Sequence, residues 1–489
     1  MAAAALTHLL DRRAISITLI ESDEIGTVGV GEATIPPLAA YNKMLGINED
    51  EFIAATKGTF KLGIEFVDWG GVGERYFHPF GPHGQDFRGV HFHQLYLREG
   101  QRRDLESVDA WSMSAAAASL GRFARPAASA RLPLSQLAYA FHFDAGLYAR
   151  FLRVRAESDG ARRVEGKIVA TKLDGETGHV ERITLADGTD IAGDLFIDCS
   201  GFRGLLIEEA LKTGYEDWSR WLPCDRAVAI PSRYPGQPDP FTRCTARAAG
   251  WQWRIPLQHR MGNGLVYSSS HISDDDAEAL VLANLEGEAL AAPRRLAFKA
   301  GRRRLTWNAN VISLGLSSGF IEPLESTSIH LIQSGIVKLL ALFPDKRFNP
   351  VERNEYNRQM REIYEDARDF IILHYKATKR DDSDFWKHCQ TMDVPDSLQR
   401  KLDLWQAKGR LFREHHELFG TASWVAVLLG QGVVPQGHEP AADALDPDMI
   451  AEALAKMRLS YQMMAEEMPL HGDFLASLRV RTDDFAGAV

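Results

Sequence analysis

Cysteine is scarce in this chain, four residues in 489, and Cys199, Cys224, Cys244 and Cys389 show neither paired spacing nor histidine companions. That argues against a disulfide framework, leaves no metal site to expect, and points to a reducing cytoplasm. Long apolar runs are absent too. Met1 to Leu10 is too short to span a bilayer and gives way at once to Asp11-Arg12-Arg13, so it reads as a buried helix, with no membrane partner. Clustered positive charge is also missing. The formal net charge is −10, and the one short basic run, Arg302-Arg303-Arg304, reads as a solvated strand end. Nucleic acid does not fit as a partner, because phosphate binding needs Lys and Arg gathered on one face.

The last absence is a G-x-G-x-x-G turn. Ala2 to Leu10 reads as a helix and Ile15 to Glu21 as an alternating β-branched strand, together the second half of a βαβ unit. A strand and a glycine turn are expected ahead of that helix, where bare amides approach a pyrophosphate. The chain is therefore expected to start late in its fold, or from a misassigned start codon, with a weakened grip on a dinucleotide. Glu21 at the strand end has two open readings: acceptor from an adenosine ribose, or a solvent-facing strand end.

What is present is richer. Val164 to Asp198 alternates through turns at Gly175-Gly178 and Asp187-Gly188, a meander feeding the short buried run Asp194 to Asp198. Val311 to Gly315 is another buried strand, followed by a turn and an apolar helix from Ser328 to Phe343. Beyond Pro344 the pattern is helical over 350–375, 396–415 and 446–468.

Five segments carry chemistry: Gly29 to Pro36, Phe60-Lys61-x-x-Ile64-x-Phe66, Asp198 to Gly204, Trp251-x-Trp253-x-Ile255-Pro256, and Phe320 to Thr327. Taken alone, Lys61 reads as an exposed strand lysine, Glu325 as a helix-capping acid, and Trp251 and Trp253 as core. In this order, the five resemble the flavin-dependent tryptophan halogenase family along nearly the whole chain.

The resemblance implies an α/β fold. Residues 1–345 would form an FAD-binding, Rossmann-like domain of glutathione-reductase type with added β-sheet substrate elements and its first βα unit missing, and 346–489 a mostly helical, substrate-covering region. It implies halogenase activity with FAD, halide and dioxygen, the reduced flavin coming from a separate NAD(P)H-dependent flavin reductase, and it allows a homodimer. Hypohalous acid would reach Lys61, not Lys57, and be held there by a hydrogen bond or as a haloamine. Glu325 would stabilise the cationic ring and take its proton, with Ser326 positioning the reacting groups. Halide would lie by the amides of Thr327 and Ser328. Gly31, Glu32 and Ala33 would strap the flavin, Leu316 and Ile329 touch its ring, and Ile168 lie near its adenine. His78 and Phe80 would sandwich the arene. Trp251, Trp253 and Pro256 belong to the signature that separates halogenases from hydroxylases.

One family feature is missing. Phe412 to Trp424 stands where free-tryptophan halogenases carry a paired-tyrosine segment, and it has no Tyr-Tyr pair. A more open site is expected, with indole or a similar arene as the small aromatic substrate. Two alternatives remain: a flavin-dependent aromatic monooxygenase, and a truncated, non-catalytic flavin-binding remnant.

Overall fold

The computed structural model describes residues 1–25, 31–126, 133–234, 236–414 and 417–486, with side chains up to Leu478. The first helix forms over Ala2–Leu9 and buries Ala4, Ala5 and Leu6. The strand expected over Ile15 to Glu21 is shorter: Thr18–Glu21 pairs, in parallel, with Arg162–Glu165. Its first residues are drawn off by a turn, in which the amides of Ala14 and Ile15 donate back to the Asp11 carbonyl. The meander is as expected, with antiparallel strands Ile168–Leu173, Val180–Leu185 and Asp190–Ala192. It leads to Phe196–Asp198, which pairs in parallel with Val311–Ser313. These two parallel pairs mark the Rossmann-like part. They lie close together, since the Met1 amino group senses both Cys199 and Glu21.

A seven-stranded sheet forms the second layer. Its order is Arg294–Ala297, Arg226–Ser232, Met261–Tyr267, Gly250–Pro256, Thr242–Arg247, Gly63–Val67 and Arg75–Pro79. Beside it, Ala140–Phe143 runs between Glu32–Ala33 and Thr59–Lys61 in a small antiparallel sheet. The chain crosses from the small sheet to the large one at Leu62. The Leu62 amide donates to Pro240 at 2.7 Å and its carbonyl accepts from Phe80 at 2.8 Å. The crossing puts Lys61 at the joint of two sheets, where both of its faces are covered.

Against the large sheet packs the helix Pro350–Lys376, whose residues Ala367 to Tyr375 are all buried. Phe370 and Tyr375 share one core with Phe66, Trp69, Tyr76, Trp251 and Trp386, so the C-terminal helices and the sheet are held by the same apolar contacts. Burying a ring of this kind is worth about 1.5–3 kcal/mol.

Two expectations are corrected. The helix expected over 396–415 ends at Lys408, because Gly409 adopts φ 63° and a Cβ there would press on Leu97. The chain then continues without regular structure to Glu414, His415 and His416 lie outside the described residues, and a further helix, Thr421–Gly430, carries Trp424. Of the basic run only Arg304 is exposed. Arg302 and Arg303 are buried, Arg302 against Glu216 (2.7 Å) and Glu365 (3.1 Å), Arg303 against Glu208 (2.9 Å). Partners from three other elements make burial of those charges tolerable.

Candidate active site

Lys61 is fully buried. Its Nζ donates to the Thr34 carbonyl at 3.1 Å and to Ser326 Oγ at 2.8 Å, and lies 5.2 Å from the centre of the Phe80 ring. Burial pulls its ammonium down to about 7, against the opposing pull of Glu325. Lys57 is exposed at the left-handed end of the helix Glu49–Thr56. The structure thus separates the two lysines as the sequence motif does.

Ser326 reaches Lys61 from a tight turn. Pro323–Glu325 forms one 3-10 turn that ends at Ser326 with φ 59°, and the helix Ser328–Ala341 begins two residues later. The left-handed backbone aims the hydroxyl inward at a steric cost. Replacing Ser326 by Ala or by Gly removes the bond to Lys61 in both cases, but only Gly relieves the backbone. We expect Ser326→Gly to be more stable than Ser326→Ala by roughly 0.5–1 kcal/mol in denaturant titration. Equal midpoints would show that the turn carries no strain.

The two glutamates of this turn are clamped from opposite sides. Glu325, fully buried, receives His78 Nδ1 at 2.9 and 3.0 Å on its two oxygens and His374 Nε2 at 2.8 Å on Oε1. Burial pushes its carboxyl up, but the two imidazoles together hold it down to about 2. Glu322 Oε2 accepts from the Trp251 indole at 2.9 Å and the Tyr375 hydroxyl at 2.5 Å. Desolvation there prevails and pushes the carboxyl up to about 7. One helix supplies His374 and Tyr375, adjacent residues, to the two acids.

Aromatic side chains wall the acid. Phe370 meets His78 edge-on at 5.8 Å and stacks on Phe419 at 3.9 Å, with Trp424 packed on its edge. Behind them opens a pocket of about 260 Å³ lined by Asp366, Asp369, Ser397, Lys401, Phe419 and Trp424, among others. His83 is buried nearby, neither ring nitrogen having a hydrogen-bond partner among the described residues, and desolvation pulls it down to about 3.

A buried lysine and a buried acid thus stand close together, with Ser326 bonded to the first and next in the chain to the second. The sequence model described as tryptophan halogenase matches residues 1–447. This chain belongs to that family. It is 33% identical to the tryptophan 6-halogenase SttH of Streptomyces toxytricini, over 96% of this chain and 94% of that one. Among solved structures, it is 48% identical to BrvH, a flavin-dependent halogenase from Brevundimonas sp. BAL3, with TM-score 0.94, covering 98% of this chain and 96% of that one. Xcc4156, a flavin-dependent halogenase from Xanthomonas campestris, is 47% identical with TM-score 0.94, covering 98% and 95%. The chain is a flavin-dependent halogenase.

The remaining expected residues of the halogenase fall in two groups. Thr327 and Ser328 open the helix Ser328–Ala341, and the Thr327 hydroxyl is buried without a partner among the described residues. Trp251, Trp253 and Pro256 lie on the strand Gly250–Pro256, with Trp253 pressed against Gly264. Farther away, Glu21 accepts from Arg163 at 2.6 Å and Arg153 at 3.1 Å, Ile168 opens the meander, and Leu316 sits in the turn Gly315–Ser317 packed on the helix that carries Ile329. Gly31 has φ 85° and Glu32 and Ala33 follow it in the small sheet; Gly29 and Val30 lie outside the described residues. Sequence reasoning missed His374, Phe370, Phe419 and Glu322's clamp. A histidine inside the apolar run Phe370 to Tyr375 was the available signal.

A flavin suits the residues that are present. Asp198 ends one parallel strand and is fixed by the amides of Ser200, Leu206 and Ile207, each at 2.9 Å. Cys199, next along, is exposed, and desolvation by the atoms around it, with Asp198 beside it, pushes its thiol up to about 11. A cleft beyond the carboxyl ends of parallel strands is where this fold class binds dinucleotides. No helix among the described residues is long and apolar enough to cross a membrane.

Proposed function

We propose that this enzyme halogenates an electron-rich arene such as indole, with chloride or bromide, by placing hypohalous acid at Lys61. The observation that carries this is the fully buried Lys61, bonded to Ser326, the residue that follows the clamped Glu325. Reduced flavin, delivered by a separate NAD(P)H-dependent reductase, would give two electrons to dioxygen and the halide two more, so that hypohalous acid and water result. Gly31, Glu32 and Ala33 would strap it, Leu316 and Ile329 face its ring, and Ile168 and Glu21 its adenosine end. The cytoplasm, proposed as compartment, keeps the four free thiols reduced.

The protein's own groups do the rest. Amides of Thr327 and Ser328 at a helix start hold the halide without a charged side chain. Two bonds of the Lys61 nitrogen fix its orientation, leaving one tetrahedral position for the electrophilic halogen. His78 and Phe80, two residues apart on one strand end, hold the ring, and regiochemistry follows from position. Glu325 then takes the ring proton, and the C–H electron pair restores aromaticity. Trp251 supports this chemistry from behind, through Glu322.

The absent tyrosine pair sets the specificity. A site built to pair an ammonium and a carboxylate rejects substrates lacking them, because its own polar groups are left unsatisfied. We therefore expect free indole to be halogenated at least as fast as tryptophan when the two compete at equal concentration with each halide and a reductase, read by mass. Strong preference for tryptophan would overturn the open-site reading, and a hydroxylated product the halogenation itself.

A further inference from the structure

His374 has both ring nitrogens engaged. Its Nδ1 lies 2.8 Å from the Phe370 carbonyl, one helical turn back, and a carbonyl can only accept, so Nδ1 carries hydrogen. Its Nε2 lies 2.8 Å from Glu325 Oε1, too close for two lone pairs to face each other. One proton therefore sits on that line. Either it belongs to Nε2, giving an imidazolium beside a carboxylate, or to Oε1, giving a neutral imidazole beside an acid.

His78 decides between them. Its Nδ1 lies within 3.0 Å of both oxygens of Glu325, the geometry of an N–H shared by an ionised carboxylate. We infer that His374 is a positioning residue which, as an imidazolium donating from Nε2, holds Glu325 ionised and turns its Oε2 toward the substrate as the base. This rests on the reading of Glu325 as the base proposed above. Oε1 takes both histidines while Oε2 takes His78 alone among the described residues, so Oε2 is the oxygen with capacity for a ring proton. Proton transfer from the ring carbon to Oε2 leaves the C–H pair in the ring and the imidazolium unchanged.

The surroundings confine the charge to this pair. His374 is fully buried, with Phe66 at 4.9 Å, Phe370 at 5.1 Å and Trp69 at 6.1 Å around its ring. Gln431 secures the His374 carbonyl at 3.1 Å. The titratable groups facing Glu325 are His78 from the large sheet, His374 from the long helix, Lys61 from the small sheet, and Tyr76 and Cys244 beyond them. Lys61 is the other cation in reach, and its two hydrogen bonds go to Thr34 and Ser326 rather than to Glu325.

Two experiments test this. In the FAD-loaded enzyme with a reductase, His374→Gln keeps a neutral donor and removes the charge. We expect kcat for the arene to fall about tenfold or more at pH 7, the range of a weakened general base, with KM and hypohalous acid release unchanged. Its acid limb should move up in pH, because one of the two imidazoles that oppose the desolvation of Glu325 is gone and His78 alone remains. A variant profile that parallels the wild type at every pH would overturn the inference, since loss of packing alone scales all points equally. Independently of that variant's folding, ¹⁵N spectra of the histidine-labelled wild type at pH 7 should show both His374 ring nitrogens protonated; one bare nitrogen would overturn it. If Glu325→Gln turned over normally, the base assignment would fail while the His374 spectrum stood, so the two failures are distinguishable.

Discussion

Lys61→Ala should abolish arene halogenation while the enzyme continues to bind flavin and to release hypohalous acid to a small scavenger. The lysine is proposed to act after halide oxidation, so its loss should uncouple the two halves of the reaction rather than stop both. Normal arene turnover by the variant would end the assignment. Stability should move the other way. In the unfolded chain this lysine titrates near its ordinary 10.5, in the folded protein at about 7. Below pH 7 both states carry the proton, and the native state bears the full cost of burying it. Between the two values the native state sheds the proton and the unfolded state keeps it, so native stability climbs with pH. Lys61→Met, which fills the same space without charge, should therefore unfold at higher denaturant than wild type. Its advantage should be full below pH 7 and fade toward pH 10.5. A site residue that weakens the fold it serves is the expected trade between activity and stability.

Much of this site was legible because its parts are contiguous in the chain. Strand, turn and helix around Glu322 to Ser328 follow from a β-branched run, a proline and an apolar period, and the motif places Lys61 rather than Lys57. Burial of Lys61 was not legible from alternation, which assigned it to an open face. That alternation belongs to two different sheets joined at Leu62, and a period of two cannot announce a change of sheet. His374 stands 49 residues after Glu325, and Arg302 meets partners before and after it in the chain, so both needed the tertiary fold. Local pattern told which residues are apolar; it could not tell which buried charge finds which partner. The helix that ends at Lys408 shows the same limit on a smaller scale, since it closes at Gly409 in the left-handed region, where Leu97 from another element leaves no room for a side chain.

Glu325→Gln should lower arene turnover by about a hundredfold or more, the usual range for a general base or an electrostatic stabiliser. The carboxylate is fully buried, held down to about 2 with His78 and His374 on its oxygens, and so is ionised throughout the working range of pH. Such a group offers a cationic ring intermediate a fixed negative charge with no reorganisation of solvent. Gln has the same shape and no charge. It also places an amide N–H donor against a histidine donor on one side, so some loss of stability is expected as well. The two effects separate by measurement. A purely structural anchor lost from this turn would lower the melting temperature and leave kcat untouched at a temperature where both proteins are folded. A lost base would lower kcat there, leave hypohalous acid release at wild-type rate, and abolish any acid limb in the pH profile. Only the second pattern agrees with Glu325 as the acceptor of the ring proton. A variant whose sole defect is thermal would leave Glu325 only the role of a buried anchor for His78 and His374.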